Sequence, residues 1–103
     1  MVDGRALTAT DRFNPAHLLY RFDPDYPAQA KRANIEGTVM LRVSIDRSGA
    51  VERVQVLSGP AVLVPAAVSA VKDWRYLPAL LNGEPVKSEQ YVSVDFRLPA
   101  GDQ

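Results

Sequence analysis

Over residues 38–46 apolar and polar side chains alternate without a break, with Val39, Leu41, Val43 and Ile45 on one side and Thr38, Met40, Arg42 and Ser44 on the other. A period of two sends successive side chains to opposite faces of a strand, so this segment is a half-buried strand. Asp46-Arg47-Ser48-Gly49 follows. An aspartate can bond its own backbone there and glycine can take positive φ, so residues 51–57 return antiparallel as a hairpin. The alternation reappears late in the chain, where Gln90, Val92, Val94, Phe96 and Leu98 interleave with Tyr91, Ser93, Asp95 and Arg97. That is a last strand.

Between these strands the period changes to that of a helix. Val64, Ala67, Val68, Val71 and Trp74 define one apolar stripe over a helix of about residues 63–73, with Pro65 in its first turn and Pro78 barring continuation. Upstream, Tyr26-Pro27 opens a helix that Ala28, Ala30 and Ala33 favour through Asn34, with proline expected at the first helical position. Gly37 ends the connection, Ser58-Gly59-Pro60 closes the hairpin, and Asn82-Gly83 is a tight-turn signal. Residues 1–16 show no period and read as a flexible leader. Residues 17–22 admit a short extra N-terminal strand, with Leu18, Tyr20 and Phe22 on one side, broken by Asp23-Pro24-Asp25.

The elements predict an α+β domain in the order α-β-β-α-β: a three-stranded antiparallel sheet with two helices packed on one face. The domain spans residues 17–99, and residues 100–103 form a tail. The crossover helix places the last strand beside the first, leaving two free edges, the second strand and the last. An edge displays unpaired N–H and C=O groups, which proteins blunt with charge, proline or short length. The last strand carries Lys87, Glu89, Asp95 and Arg97 at its ends, yet Tyr91-Val92-Ser93-Val94 is uncharged. That stretch is the expected docking edge.

Composition narrows the function more than the fold. The 103 residues suit one core, and 47% apolar with 23% charged residues is globular rather than disordered. Twelve Lys plus Arg balance twelve Asp plus Glu, so no net field favours nucleic acid or anionic lipid. Lys31-Arg32 reads as a solvated helix face. The longest apolar run, residues 61–64, falls far short of the roughly 20 residues that span a bilayer. The first five residues have no signal-peptide core, so an exported protein would be represented here by an excised fragment with a supplied Met1.

Catalytic chemistry finds no foothold. Without cysteine there are no disulfides, thiolate nucleophiles or zinc-thiolate sites. The single histidine, His17, lies in poorly patterned sequence. Ser58 lacks the Gly-x-Ser-x-Gly elbow, Asp23 and Asp25 flank a proline in an exposed connection, and the glycines stand alone at boundaries rather than in a phosphate loop. Neither an enzyme nor a cofactor site is expected.

Several segments recur together in one order: Tyr26-Pro27-x-x-Ala30, Glu36-Gly37-Thr38-Val39, Asp46-x-x-Gly49-x-Val51, Val54-x-Val56-Leu57-Ser58-Gly59, Ala66-Ala67-x-x-Ala70-Val71-x-x-Trp74-Arg75-Tyr76-x-Pro78, Asn82-Gly83-x-Pro85-Val86 and Val92-x-Val94-x-Phe96-x-Leu98. This series, over residues 18–98, resembles the TonB C-terminal domain family, in particular its generic energy-transducer members. The resemblance implies a periplasmic domain joined upstream to a proline-rich spacer and an inner-membrane anchor that associates with an ExbB and ExbD motor. It further implies capture of the TonB box, a short N-terminal segment of an outer-membrane transporter, as a strand beside the last strand. The partner-binding residues implied are Glu89, Gln90, Tyr91, Val92, Ser93, Val94, Asp95, Phe96 and Arg97, together with Tyr26 and Asp23. Asp23 departs from the glutamine frequent at its place, since a carboxylate cannot donate the amide hydrogen bonds and favours a segment with a nearby cation. Trp74, Arg75 and Tyr76 are expected to close the core rather than touch a partner. Two other readings compete: a strand-paired or swapped homodimeric scaffold, and a sensory or wall-binding domain of a larger envelope protein.

Overall fold

A computed structural model describes residues 6–98 of the chain. The element order is β1 (Phe13–Asn14), β2 (His17–Tyr20), α1 (Ala28–Arg32), β3 (Gly37–Ile45), β4 (Val51–Ser58), α2 (Val64–Lys72), β5 (Arg75–Leu77), β6 (Ala79–Leu81), β7 (Glu84–Val86) and β8 (Ser88–Phe96). The main sheet has the order β4-β3-β8 and is antiparallel throughout. The expected three-stranded sheet with two helices and an α+β fold is therefore what the chain forms. No helix among the described residues is long and apolar enough to cross a membrane.

The central strand anchors the core. Val39, Leu41, Val43 and Ile45 of β3 are fully buried, and each such side chain stabilises the fold by about 1.5–3 kcal/mol relative to an exposed one. They meet Ala30 of α1, Leu63, Ala67 and Val71 at α2, and Trp74, Tyr76, Val94 and Phe96 in one cluster. The stripe of α2 is rotated from the one expected: Leu63, Ala67, Ala70 and Val71 are buried, while Val64 and Val68 are only half-buried.

Helix α1 is shorter than the alanine pattern suggested. Pro27 caps it in an extended conformation instead of occupying the first helical position. Its end is set by Asn34, in the left-handed region at φ 54°, with the Ile35 N–H donating back to the Ala30 carbonyl.

The larger differences lie outside the main sheet. The leader expected to be loose over residues 1–16 is ordered in its second half, where Phe13 and Asn14 pair with Leu81 and Leu80 of β6. Residues 1–5 of that leader and the tail at 100–103 lie outside the described residues. The optional extra strand exists as β2, but it ends at Tyr20 with all four residues exposed, and it pairs with β5 rather than joining the main sheet. Strand β5 continues directly from Trp74 and was not foreseen. Three residues are too few to display a period. Asn82-Gly83 does form a tight turn, with φ 54° and 85°, the type I′ signature, but the turn joins β6 to β7 in a hairpin of its own.

Candidate functional site: the outer edge of the last strand

Strand β8 meets β3 in one unbroken register, from Gly37 opposite Phe96 to Ile45 opposite Ser88. The alternation of the sequence fixes which side chains face the core. Val94 and Phe96 are buried and Gln90 and Val92 half-buried, whereas Glu89, Tyr91, Ser93 and Asp95 are exposed. Among the described residues β3 is the only strand that pairs with β8, so the opposite backbone rim of β8 has no strand neighbour. Strands β1 and β2, which might have covered it, are committed to β6 and β5.

The residues singled out from sequence divide sharply. On the open face, the Thr38 hydroxyl donates to the Asp95 carboxylate at 2.5 Å, and the Ser44 hydroxyl donates to Glu89 at 3.4 Å. Tyr91 lies opposite Arg42 and is 69% exposed, the most open large apolar side chain of the strand. Arg97 lies just past the strand, with its guanidinium donating to the Phe96 carbonyl. The side chains of Val94 and Phe96 are turned into the core, so at those positions only the main chain can meet a partner. Gln90 is held by its side-chain amide, which donates to the Ala16 carbonyl at 2.6 Å.

Tyr26 is brought to the site but turned inward. Its hydroxyl donates to the Ile35 carbonyl and its ring packs edge-on against Phe96, with centroids 5.5 Å apart. It braces the end of β8. Asp23 is exposed in the connection before α1 and makes no hydrogen bond or ion pair with another described residue.

The contacts that sequence reasoning missed all run along the leader. The Trp74 indole N–H donates to the Phe22 carbonyl at 2.9 Å, and the Arg21 guanidinium lies 5.1 Å from the Trp74 ring centroid, a cation–π contact. Residues 16–26 therefore pass from Gln90 near the start of β8 to Phe96 at its end. The signal available for this was the Trp74-Arg75-Tyr76 run, whose indole N–H needs a partner once buried.

No group of three or more His, Cys, Asp or Glu among the described residues is placed to hold a metal ion. His17 is exposed on β2, beside a cleft of about 270 Å³ lined by Asn14, Pro15, Leu77, Pro78 and Leu80. The arrangement offers a backbone rim and a row of exposed side chains, which is equipment for recognition.

Residues 23–98 match the family profile described as Gram-negative bacterial TonB protein C-terminal. Over 86 residues, 82% of the chain, the sequence is 35% identical to Protein TonB of Vibrio cholerae, of which it covers 35%. It is 41% identical over 85 residues to Protein tonB2 of Pseudomonas aeruginosa, covering 81% of the chain and 32% of that protein. The chain thus spans about a third of the length of these curated relatives. Its fold is similar to the solution NMR structure of Pseudomonas aeruginosa TonB CTD, with a TM-score of 0.67 at 24% identity over 81% of this chain and 86% of that one.

Proposed function

The chain belongs to the TonB C-terminal family, and from that premise we propose that it is the partner-gripping domain of an energy transducer, binding an extended peptide by strand addition to the outer rim of β8. The observation that carries this reading is the smooth nine-residue pairing of β8 with β3, which leaves a regular rim on the other side. A strand added there draws affinity from main-chain hydrogen bonds and modest selectivity from alternate side chains. One domain can then serve several partners.

The partner is the TonB box of an outer-membrane transporter, and the domain works in the periplasm as part of a protein anchored in the inner membrane. ExbB and ExbD engage regions beyond this chain, and the domain passes their proton-driven work to the docked segment. Glu89, Tyr91, Ser93 and Asp95 line the open-face side of that segment, Gln90 and Val92 border it on the core side, and Val94, Phe96 and Arg97 contribute main chain. Asp23 lies three residues before Tyr26, whose ring packs on Phe96 at the end of β8, and from there it meets the segment's flank. Family members are energy transducers rather than enzymes, and no catalytic role is assigned to any residue here.

Amide-resolved titration with an N-terminal transporter peptide tests the reading. Perturbations are expected at residues 91–96 and around Asp23. Saturating cognate peptide that left those amides unmoved would sink it. The same rim also fits a second copy of β8, so size measured against concentration, with and without peptide, distinguishes a strand-paired dimer from a peptide receptor.

A further inference from the structure

Residues 11–22 form a strap that is held very differently from the body of the domain. Asn82 clasps its start: the Asn82 N–H donates to the Arg12 carbonyl at 2.7 Å, the Arg12 N–H donates to Asn82 Oδ1 at 2.9 Å, and Asn82 Nδ2 donates to Asp11 Oδ1 at 2.9 Å. Two short strand pairings follow, then the Trp74 indole closes the far end on the Phe22 carbonyl. Polar bonds supply most of this attachment, with half-buried Phe13 adding a limited apolar contact with the core. Only Ala16 is buried in the strap, and Leu18, Leu19, Tyr20 and Phe22 remain 41%, 51%, 64% and 52% exposed. The β3 core strand has four fully buried apolar side chains in only nine residues.

Burial of apolar surface decides which segments open only with the whole fold and which open alone. We infer that the strap is a detachable tether, released as one unit from β5, β6 and Trp74 while the β3–β8 ladder stays intact. Its route gives the release a purpose that rests on the transducer reading above. The strap lies between the upstream side of the chain and the rim that grips the partner, and it touches that rim's strand through Gln90 and Ala16. Tension from upstream therefore meets the strap first. The strap yields and lengthens the connection, and the β8 rim keeps its partner. The hinge is residues 23–25, where Pro24 separates two exposed aspartates and no strand or helix intervenes.

The absence of cysteine makes the test direct, because a single Lys72→Cys supplies a unique handle at the exposed end of α2, away from the strap's pairing partners. Pulling between that handle and an N-terminal tag should give a separate early step on the order of 20–30 Å, below the force of global unfolding, from the freed extended chain. Asn82→Ala should lower the force of that step and leave the later event in place. A single all-or-none event would overturn the proposal. Hydrogen exchange on the unaltered chain is the second measurement: amides of residues 12–20 should exchange about 100-fold or more faster than those of Leu41 and Val43, by a local opening insensitive to mild denaturant. Equal protection in the two groups would overturn it as well. Neither experiment contains a partner, so a failed peptide titration leaves the strap standing, and a strap that never detaches leaves the docking rim standing.

Discussion

Strands β4 and β8 flank the same strand, β3, and meet it with different regularity. β8 pairs residue for residue over its whole length, whereas β4 slips register twice, between Met40 and Leu41 and again between Ser44 and Ile45. The first slip leaves Leu57 without an opposite residue, and the second does the same for Glu52. Such bulges bend a strand and turn its outward groups away from a straight neighbour, one of the ways natural sheets protect an edge. Two rims of one sheet thus differ in fitness for an added strand through local geometry, even though both are free among the described residues.

The largest expected effect removes both rims together. Leu41→Ala, in the strand they share, should cost about 2–5 kcal/mol by leaving a cavity, read as a lower denaturation midpoint. Next come paired prolines, which separate the rims. Neighbouring residues of a strand point their N–H groups in opposite directions, so of Val92→Pro and Ser93→Pro one breaks the β3 ladder and costs about 3 kcal/mol. The other should fold normally and weaken peptide binding by about 100-fold, since it removes a main-chain donor and obstructs the docked strand. The outward member of the corresponding pair on β4, Val54→Pro or Gln55→Pro, should leave affinity unchanged. A loss of binding there would mean the wrong rim has been chosen.

Tyr26→Phe sharpens the comparison by asking whether the brace of β8 is structural. Losing the bond to the Ile35 carbonyl should cost about 1 kcal/mol in thermal or urea unfolding and leave peptide affinity unaltered, because the ring contact with Phe96 survives. A large loss of affinity at unchanged stability would make Tyr26 a contact residue.

The smallest effect belongs to the hairpin that carries β4. The Ser48 hydroxyl, assisted by the backbone N–H groups of Ala50, Ser48 and Gly49, holds the Asp46 carboxyl below its ordinary range. A carboxylate with a depressed folded value contributes stability that is present above its unfolded pKa near 4 and fades as pH falls through the folded one. Urea midpoints should therefore drop modestly below about pH 4, and Asp46→Ala should lower the neutral-pH midpoint while removing that group's share of the acid dependence. Identical acid limbs in the two proteins would show that Asp46 is not its source.

Much of this was legible in the chain. Alternation named the core face of β3 and β8 residue by residue, and the helical stripe located α2 to within one residue at each end. The local turn chemistry at Asp46 and Asn82 was right as well, because those side chains act on their own backbones. The strap was not legible. Its two-residue and four-residue strands exist only because β5 and β6 present partners about 60 residues away, and its exposed leucines carry no period that a core would impose. The candidate site divided in the same way: the alternation over residues 90–96 made the strand and its uncharged middle readable, while the inward turn of Tyr26 and the hold of Ala16 on Gln90 depend on contacts between distant segments.

Period, turn residues and burial preference act within a few residues of themselves, and so the sequence by itself determined the strands and helices of the main sheet and which faces they bury. What only the tertiary structure decided is which backbone groups remain unpaired. That depends on how every other segment is placed, and here β1 and β2 settle on β6 and β5, leaving the smooth rim of β8 without a strand neighbour among the described residues.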